Sequence, residues 1–84
     1  MPYSTAVWDM DDDPSGNAQH IAGHGITKEE VEEVLEKPEG IESSRSSVRP
    51  IAFGETSTGR IIAVVFEEID QGTVYPITAF EVEL

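Results

Sequence analysis

The chain has 84 residues, enough for one modest hydrophobic core, and only 38% of them are hydrophobic, so its stability is expected to be marginal. It carries 17 acidic against 5 basic residues, a net charge of −12. That charge repels nucleic acid at long range, because binding to phosphates draws its free energy from counterions released to lysine and arginine. No cysteine is present, which excludes disulfide staples and thiolate metal sites and makes a reducing compartment, the cytoplasm, the expected home. The N-terminus shows neither a basic stretch nor an apolar one. The longest apolar run, Ile61 to Phe66, is far too short to span a bilayer.

Tyr3 to Trp8 has the aromatic and β-branched composition of a first strand, and Trp8 is expected in the core. The aspartates that follow, Asp9, Asp11, Asp12 and Asp13, fail as a calcium loop. Pro14 stands where such a loop needs glycine, and His20 where it needs glutamate. They read instead as the start of a helix over Ser15 to His24, with Asp13 as N-cap and Pro14 at the first helical position. Ala18, Ile21 and Ala22 form its weak apolar stripe, while Asn17, His20 and His24 fall on another face. Gly25 suits the left-handed residue that closes a helix–helix corner.

The stretch from Gly25 to Glu36 is the clearest in the chain. Thr27 and Glu30 are spaced as a capping box, and Ile26 and Val31 as its hydrophobic staple. Glu29 and Glu30 lie in the first turn, at the positive end of the helix dipole. Val31, Val34 and Leu35 make one stripe, with Glu29, Glu32, Glu33 and Glu36 facing water. Pro38 stops the helix. Pro38 to Ser47, rich in proline, glycine and serine, reads as a surface loop.

Thereafter the pattern is extended. Arg49 to Phe53 is a short strand and Gly54 to Gly59 a polar turn. Arg60 to Glu67 is a near-continuous apolar run that belongs in the middle of a sheet. Asp70 to Gly72 turns the chain, and Thr73 to Val82 returns as a third consecutive strand. Pro76, which cannot donate to a ladder, puts an edge or bulge there. The fold class is α+β, a single domain over residues 1–84 with a helical hairpin packed on a mostly antiparallel sheet in the order β-α-α-β-β-β. Trp8, Ile21, Val31, Val34, Leu35, Ile62, Val64, Phe66 and Ile77 are the expected core. Ile61, Ala63 and Val65 are the alternates should one sheet face stay uncovered.

Few residues can carry chemistry. His20 and His24 have a His-x-x-x-His spacing, but Ile21 follows the first where zinc proteases carry glutamate, so no metal site is assigned. No glycine-rich phosphate loop, serine elbow or cysteine nucleophile is present, and no cofactor is expected. Arg49 and Arg60, on adjoining strands, could face one site with His24, holding a phosphate and supplying an acid or base. The plainer reading makes each arginine the ion-pair partner of a carboxylate.

Trp8-Asp9, Asn17, His24-Gly25-Ile26 and Glu29-Glu30-Val31, followed by Arg49, Gly54, Thr56 and Gly59-Arg60, resemble in order and spacing the BrnT family of small toxins. The likeness covers nearly the whole chain. It implies the RelE/ParE-like fold, a helical pair on an antiparallel sheet, and a metal-independent ribonuclease held inactive by a DNA-binding antitoxin, BrnA. Two departures bear on activity. Gly23 stands where the family has lysine before its His-Gly pair, and Ala79 is followed by Phe80 and Glu81 where the family carries a basic pair. The resemblance therefore implies a scaffold with a degenerate ribonuclease site, acting as a protein-binding module toward an antitoxin-like or other basic protein. The alternative is a working ribonuclease using His24, Arg49, Arg60 and Glu30. Oligomeric state is open, a homodimer included.

Overall fold

The apolar run beginning at Ile61 forms the middle strand of a five-stranded sheet. A computed structural model describes residues 5–43 and 49–82. Its elements are β1 (Thr5–Ala6), α1 (Asn17–Gly23), α2 (Lys28–Glu36), β2 (Gly40–Ser43), β3 (Pro50–Glu55), β4 (Ile61–Asp70) and β5 (Thr73–Glu81). The strand order is β1-β5-β4-β3-β2. Neighbours are antiparallel except β1, which lies parallel to β5 through Thr5–Thr73 and Ala6–Val74. The fold is thus α+β, with two helices and a mostly antiparallel sheet.

One strand more is present than the sequence suggests. The first half of the expected loop, Gly40–Ser43, pairs antiparallel with β3, and residues 44–48 lie outside the described part. Gly40 lies opposite Phe53, and a Cβ there would come within 2.5 Å of the Phe53 ring. This glycine marks a close approach of ring to backbone rather than a break in the chain.

The helices share one core. Ile21 of α1, Ile26 of the corner and Val31, Val34 and Leu35 of α2 cluster with Ala52, Ile62, Val64, Phe66, Val74 and Ala79 of the sheet. α1 packs on β5, and α2 packs on β3 and β4. Ile77 is a correction. The β4–β5 register slips between Val65–Thr78 and Phe66–Pro76, so Ile77 is the extra residue of a bulge and stays half-buried. Val74, Pro76 and Ala79 point inward instead. The bulge falls beside Pro76, whose carbonyl faces the β1 side of β5.

Trp8 is half-buried and packs against the core's margin. Its indole N–H donates to Glu32 Oε2 at 3.1 Å, and the Lys28 ammonium lies 5.7 Å from its ring centre. The polar end of the ring thereby holds it at the surface. α1 is shorter than the reading above and begins at Asn17, after Gly16. Asp13 caps the preceding turn, its Oδ1 accepting from the backbone N–H and hydroxyl of Ser15. The first helical N–H is met from afar, by Asp9 Oδ2 at 2.9 Å.

Candidate functional site

Glu30 and Arg60 come together where the corner between α1 and α2 meets the start of β4, and His24 precedes Gly25 in that corner. α1 ends at Gly23, and Gly25 closes the corner with φ of 77°, a conformation glycine adopts without steric cost. Thr27 then caps α2 as its sequence requires. Its Oγ1 accepts from Glu30 N–H at 3.1 Å, and Glu30 Oε1 accepts from Thr27 N–H at 3.1 Å.

Glu30 has a second occupation that the capping pattern does not reveal. Its other oxygen, Oε2, accepts from the hydroxyls of Thr58 at 2.8 Å and Thr56 at 3.4 Å, and Arg60 Nε lies 3.5 Å away. The side chain is only 6% exposed. Burial pushes its pKa up, but the Thr27 N–H, the Thr58 hydroxyl and the Arg60 guanidinium outweigh burial and hold it below the usual glutamate range. Glu33, expected to face water alone, accepts from the N–H and hydroxyl of Ser57 at 3.1 Å each. The β3–β4 turn, residues 56–59, is therefore fastened to α2 by two carboxylates. The hydroxyl run Thr56-Ser57-Thr58 was the signal for this, read from the sequence only as a polar turn.

Arg60 reaches from the sheet to the helix corner. Its Nη2 donates to the Gly25 carbonyl at 3.0 Å, and its Nε lies between Glu30 at 3.5 Å and Glu81 Oε1 at 4.0 Å. Nε sits within ion-pair range of both carboxylates without a hydrogen bond to either. His24 adjoins this corner with its ring exposed and centred 5.0 Å from that of His20, whose Nε2 lies 3.0 Å from Thr78 Oγ1.

Arg49 is elsewhere. Ile51 pairs with Val65, so the residue before β3 lies near Glu67, and Arg49 Nε is 3.9 Å from that carboxylate. Antiparallel neighbours put the start of one strand beside the end of the next. Arg49 and Arg60 are accordingly separated by seven residues of β4, on the order of 20 Å. Of the four expected residues, Glu30 and Arg60 are paired, the His24 ring lies beside His20, and Arg49 lies beside Glu67.

A second polar centre is structural. Asn17, 3% exposed, accepts from Asp9 N–H at 2.8 Å and donates to the carbonyls of Val7 at 3.0 Å and Pro76 at 2.8 Å. Tyr75 donates to Asp9 Oδ2 at 2.5 Å. That bond, with the Asn17 N–H, lowers the Asp9 pKa, and the carboxylate in turn raises that of Tyr75. Every polar atom of the Asn17 side chain is engaged, which suits a buried amide that holds the β1 connection to β5.

Among the described residues no group of three or more histidines, cysteines or carboxylates is arranged to hold a metal ion, and no helix is long and apolar enough to cross a membrane. No protein-family model matches the chain, and comparisons with curated proteins and with solved structures likewise found no match.

Proposed function

We propose that this chain is a BrnT-like scaffold of the type II toxin–antitoxin kind whose ribonuclease chemistry is lost and which acts by binding a protein. The observation that carries the reading is the engagement of Arg60. A cation that stabilises a scissile phosphate must be available to it. This guanidinium instead has two carboxylates and a carbonyl as neighbours. Turning it toward RNA would take the counter-charge away from the buried Glu30 carboxylate. Glu81 supplies the second carboxylate at a position where the resemblance expects a base. Arg49, beside Glu67 at the other end of β4, is too far from Arg60 to share a phosphate with it. An acidic surface of net charge −12 favours a basic protein over RNA as partner, an antitoxin-like protein being the candidate the resemblance supplies.

Total RNA incubated with purified protein tests this, beside a variant carrying Gly23→Lys, Phe80→Arg and Glu81→Lys. A lysine at position 23 has open space around it. Positions 80 and 81 point to opposite faces of the sheet, so Glu81→Lys is the change that alters the corner. The wild type should leave RNA intact. Cleavage by the wild type that vanishes with Arg60→Ala would overturn the reading. Cleavage by the variant alone would trace the silence to the missing charges. Silence of both would remove the support for a ribonuclease ancestry.

A further inference from the structure

The face of the sheet turned away from the helices carries an apolar strip. The pairs Ile51–Val65, Phe53–Ala63 and Ala63–Phe80 set apolar side chains side by side across β3, β4 and β5. Ala63 is only 5% exposed yet stands apart from the helix-side cluster, and its neighbours on either side are Phe53 and Phe80. A groove of about 450 Å³ runs between Ile51, Phe53, Ile61, Ala63 and Val82, with Glu39 and Glu42 along its β2 side. Glu42 lies opposite Ile51 and Glu55 opposite Ile61, so carboxylates border the apolar floor at both ends. Both helices pack on the other face, and Phe80 is left 41% exposed. Contiguous apolar surface rimmed by polar groups marks an interaction site.

We infer that this face is the docking surface for a partner segment whose apolar stripe is flanked by lysines or arginines, an inference that rests on the protein-binding reading above. Charge selects the occupant. A second copy would bring the same acidic rim and another −12 against the first. Nucleic acid shares the sign of the rim and has no apolar stripe to seat on the floor. A basic amphipathic segment satisfies both: its aliphatic side chains cover Phe53, Ala63 and Phe80 while its cations meet Glu39, Glu42 and Glu55.

The test is a titration of the protein with a labelled amphipathic peptide of leucine and lysine, read by fluorescence anisotropy. A peptide with glutamate in place of lysine is the control, and sedimentation of the protein alone runs in parallel. The lysine peptide should bind, more weakly as salt rises, and the glutamate peptide should not. Phe80→Ser or Val82→Ser should each weaken binding by about tenfold, with Glu42→Gln flattening the salt dependence. Met10→Ser, at an exposed apolar residue in the loop after β1, should leave binding unchanged. Absence of binding would overturn the inference, as would affinity indifferent to Phe80 and Val82, which would mean general charge attraction. Self-association abolished by Phe80→Ser would assign the face to a second copy instead. RNA cleavage by the wild type would sink the binding-module reading without affecting these titrations, so the two failures are distinguishable.

Discussion

Ile62, Val64 and Phe66 project from β4 toward the helices and are closed off from water, whereas Ile61, Ala63 and Val65 project the other way, onto a face that neither α1 nor α2 covers. The two sets alternate along one strand and differ little in composition. What separates them is coverage: one set clusters with Val31, Val34 and Leu35, while Ile61 and Ala63 of the other line a groove bordered by carboxylates. An apolar run of this kind shows that both faces of a strand favour cover, and leaves open whether the chain itself supplies both.

The sharpest way to break this contrast is to truncate one aromatic on each face. Phe66→Ala should cost ~3–5 kcal/mol in urea melts, because Phe66 is fully buried among core side chains. Phe80→Ala should cost less than about 1 kcal/mol. Should Phe66→Ala prevent folding, Phe66→Leu, expected at roughly 1 kcal/mol, gives the same ranking. Equal losses on the two faces would mean that the open face is also core.

Asn17→Ala tests whether the other edge of the sheet depends on one amide. It leaves the Val7 and Pro76 carbonyls and the Asp9 N–H without their partner, and should cost about 2–3 kcal/mol. A loss no greater than that of an exposed substitution would assign the β1 connection to other contacts.

The corner of Glu30 stands between these extremes and adds a pH signature. Glu30→Gln should cost roughly 2 kcal/mol near neutral pH, as the charge-assisted bonds to Thr27 and Thr58 are weakened and the ion pair with Arg60 is lost. The folded-state pKa of Glu30 is depressed, so its contribution is complete above the ordinary glutamate pKa and is lost as pH falls through the folded one. The stability gap between wild type and Glu30→Gln should close in acid, and a gap that stayed constant would refute the assignment. Thr27→Ala, which removes only the cap, should cost about 1 kcal/mol. Glu33→Ala should cost a similar or slightly smaller amount because it releases Ser57. If Glu33→Ala is silent, its bonds to the turn contribute nothing net in solution.

How much of this was legible in the chain follows from how local each feature is. The α2 capping box was readable because Thr27 and Glu30 are three residues apart and satisfy one another. The inward phase of β4 was likewise readable, with Ile62, Val64 and Phe66 on the buried side. β2 was not, because Gly40–Ser43 becomes a strand only by pairing with β3, and its glycine looks like a break until Phe53 lies across it. Ile77 was misassigned because strict alternation has no means of anticipating the bulge at Pro76. The distance between Arg49 and Arg60 was implicit in the hairpin itself, since residues that precede two successive antiparallel strands lie at opposite ends. The second role of Glu30, by contrast, depends on the β3–β4 turn folding back onto α2, a contact 26 to 28 residues distant in sequence.

Pro76 has a consequence for the order in which the molecule assembles. The β3–β4–β5 meander joins near neighbours, whereas β1 must bring Thr5 to Thr73, and pairings so distant close last because of the chain entropy they consume. Until they close, the outer edge of β5 is a bare strand next to water, able to recruit another chain at the same stage. Pro76 lies on that edge with no N–H to offer, and Asn17 later takes its carbonyl. The residue beside the bulge of the finished sheet is thus a guard on the unfinished one. Pro76→Val, close in volume and better suited to a strand, should raise the aggregated fraction on refolding by dilution, while wild type refolds cleanly at the same concentration.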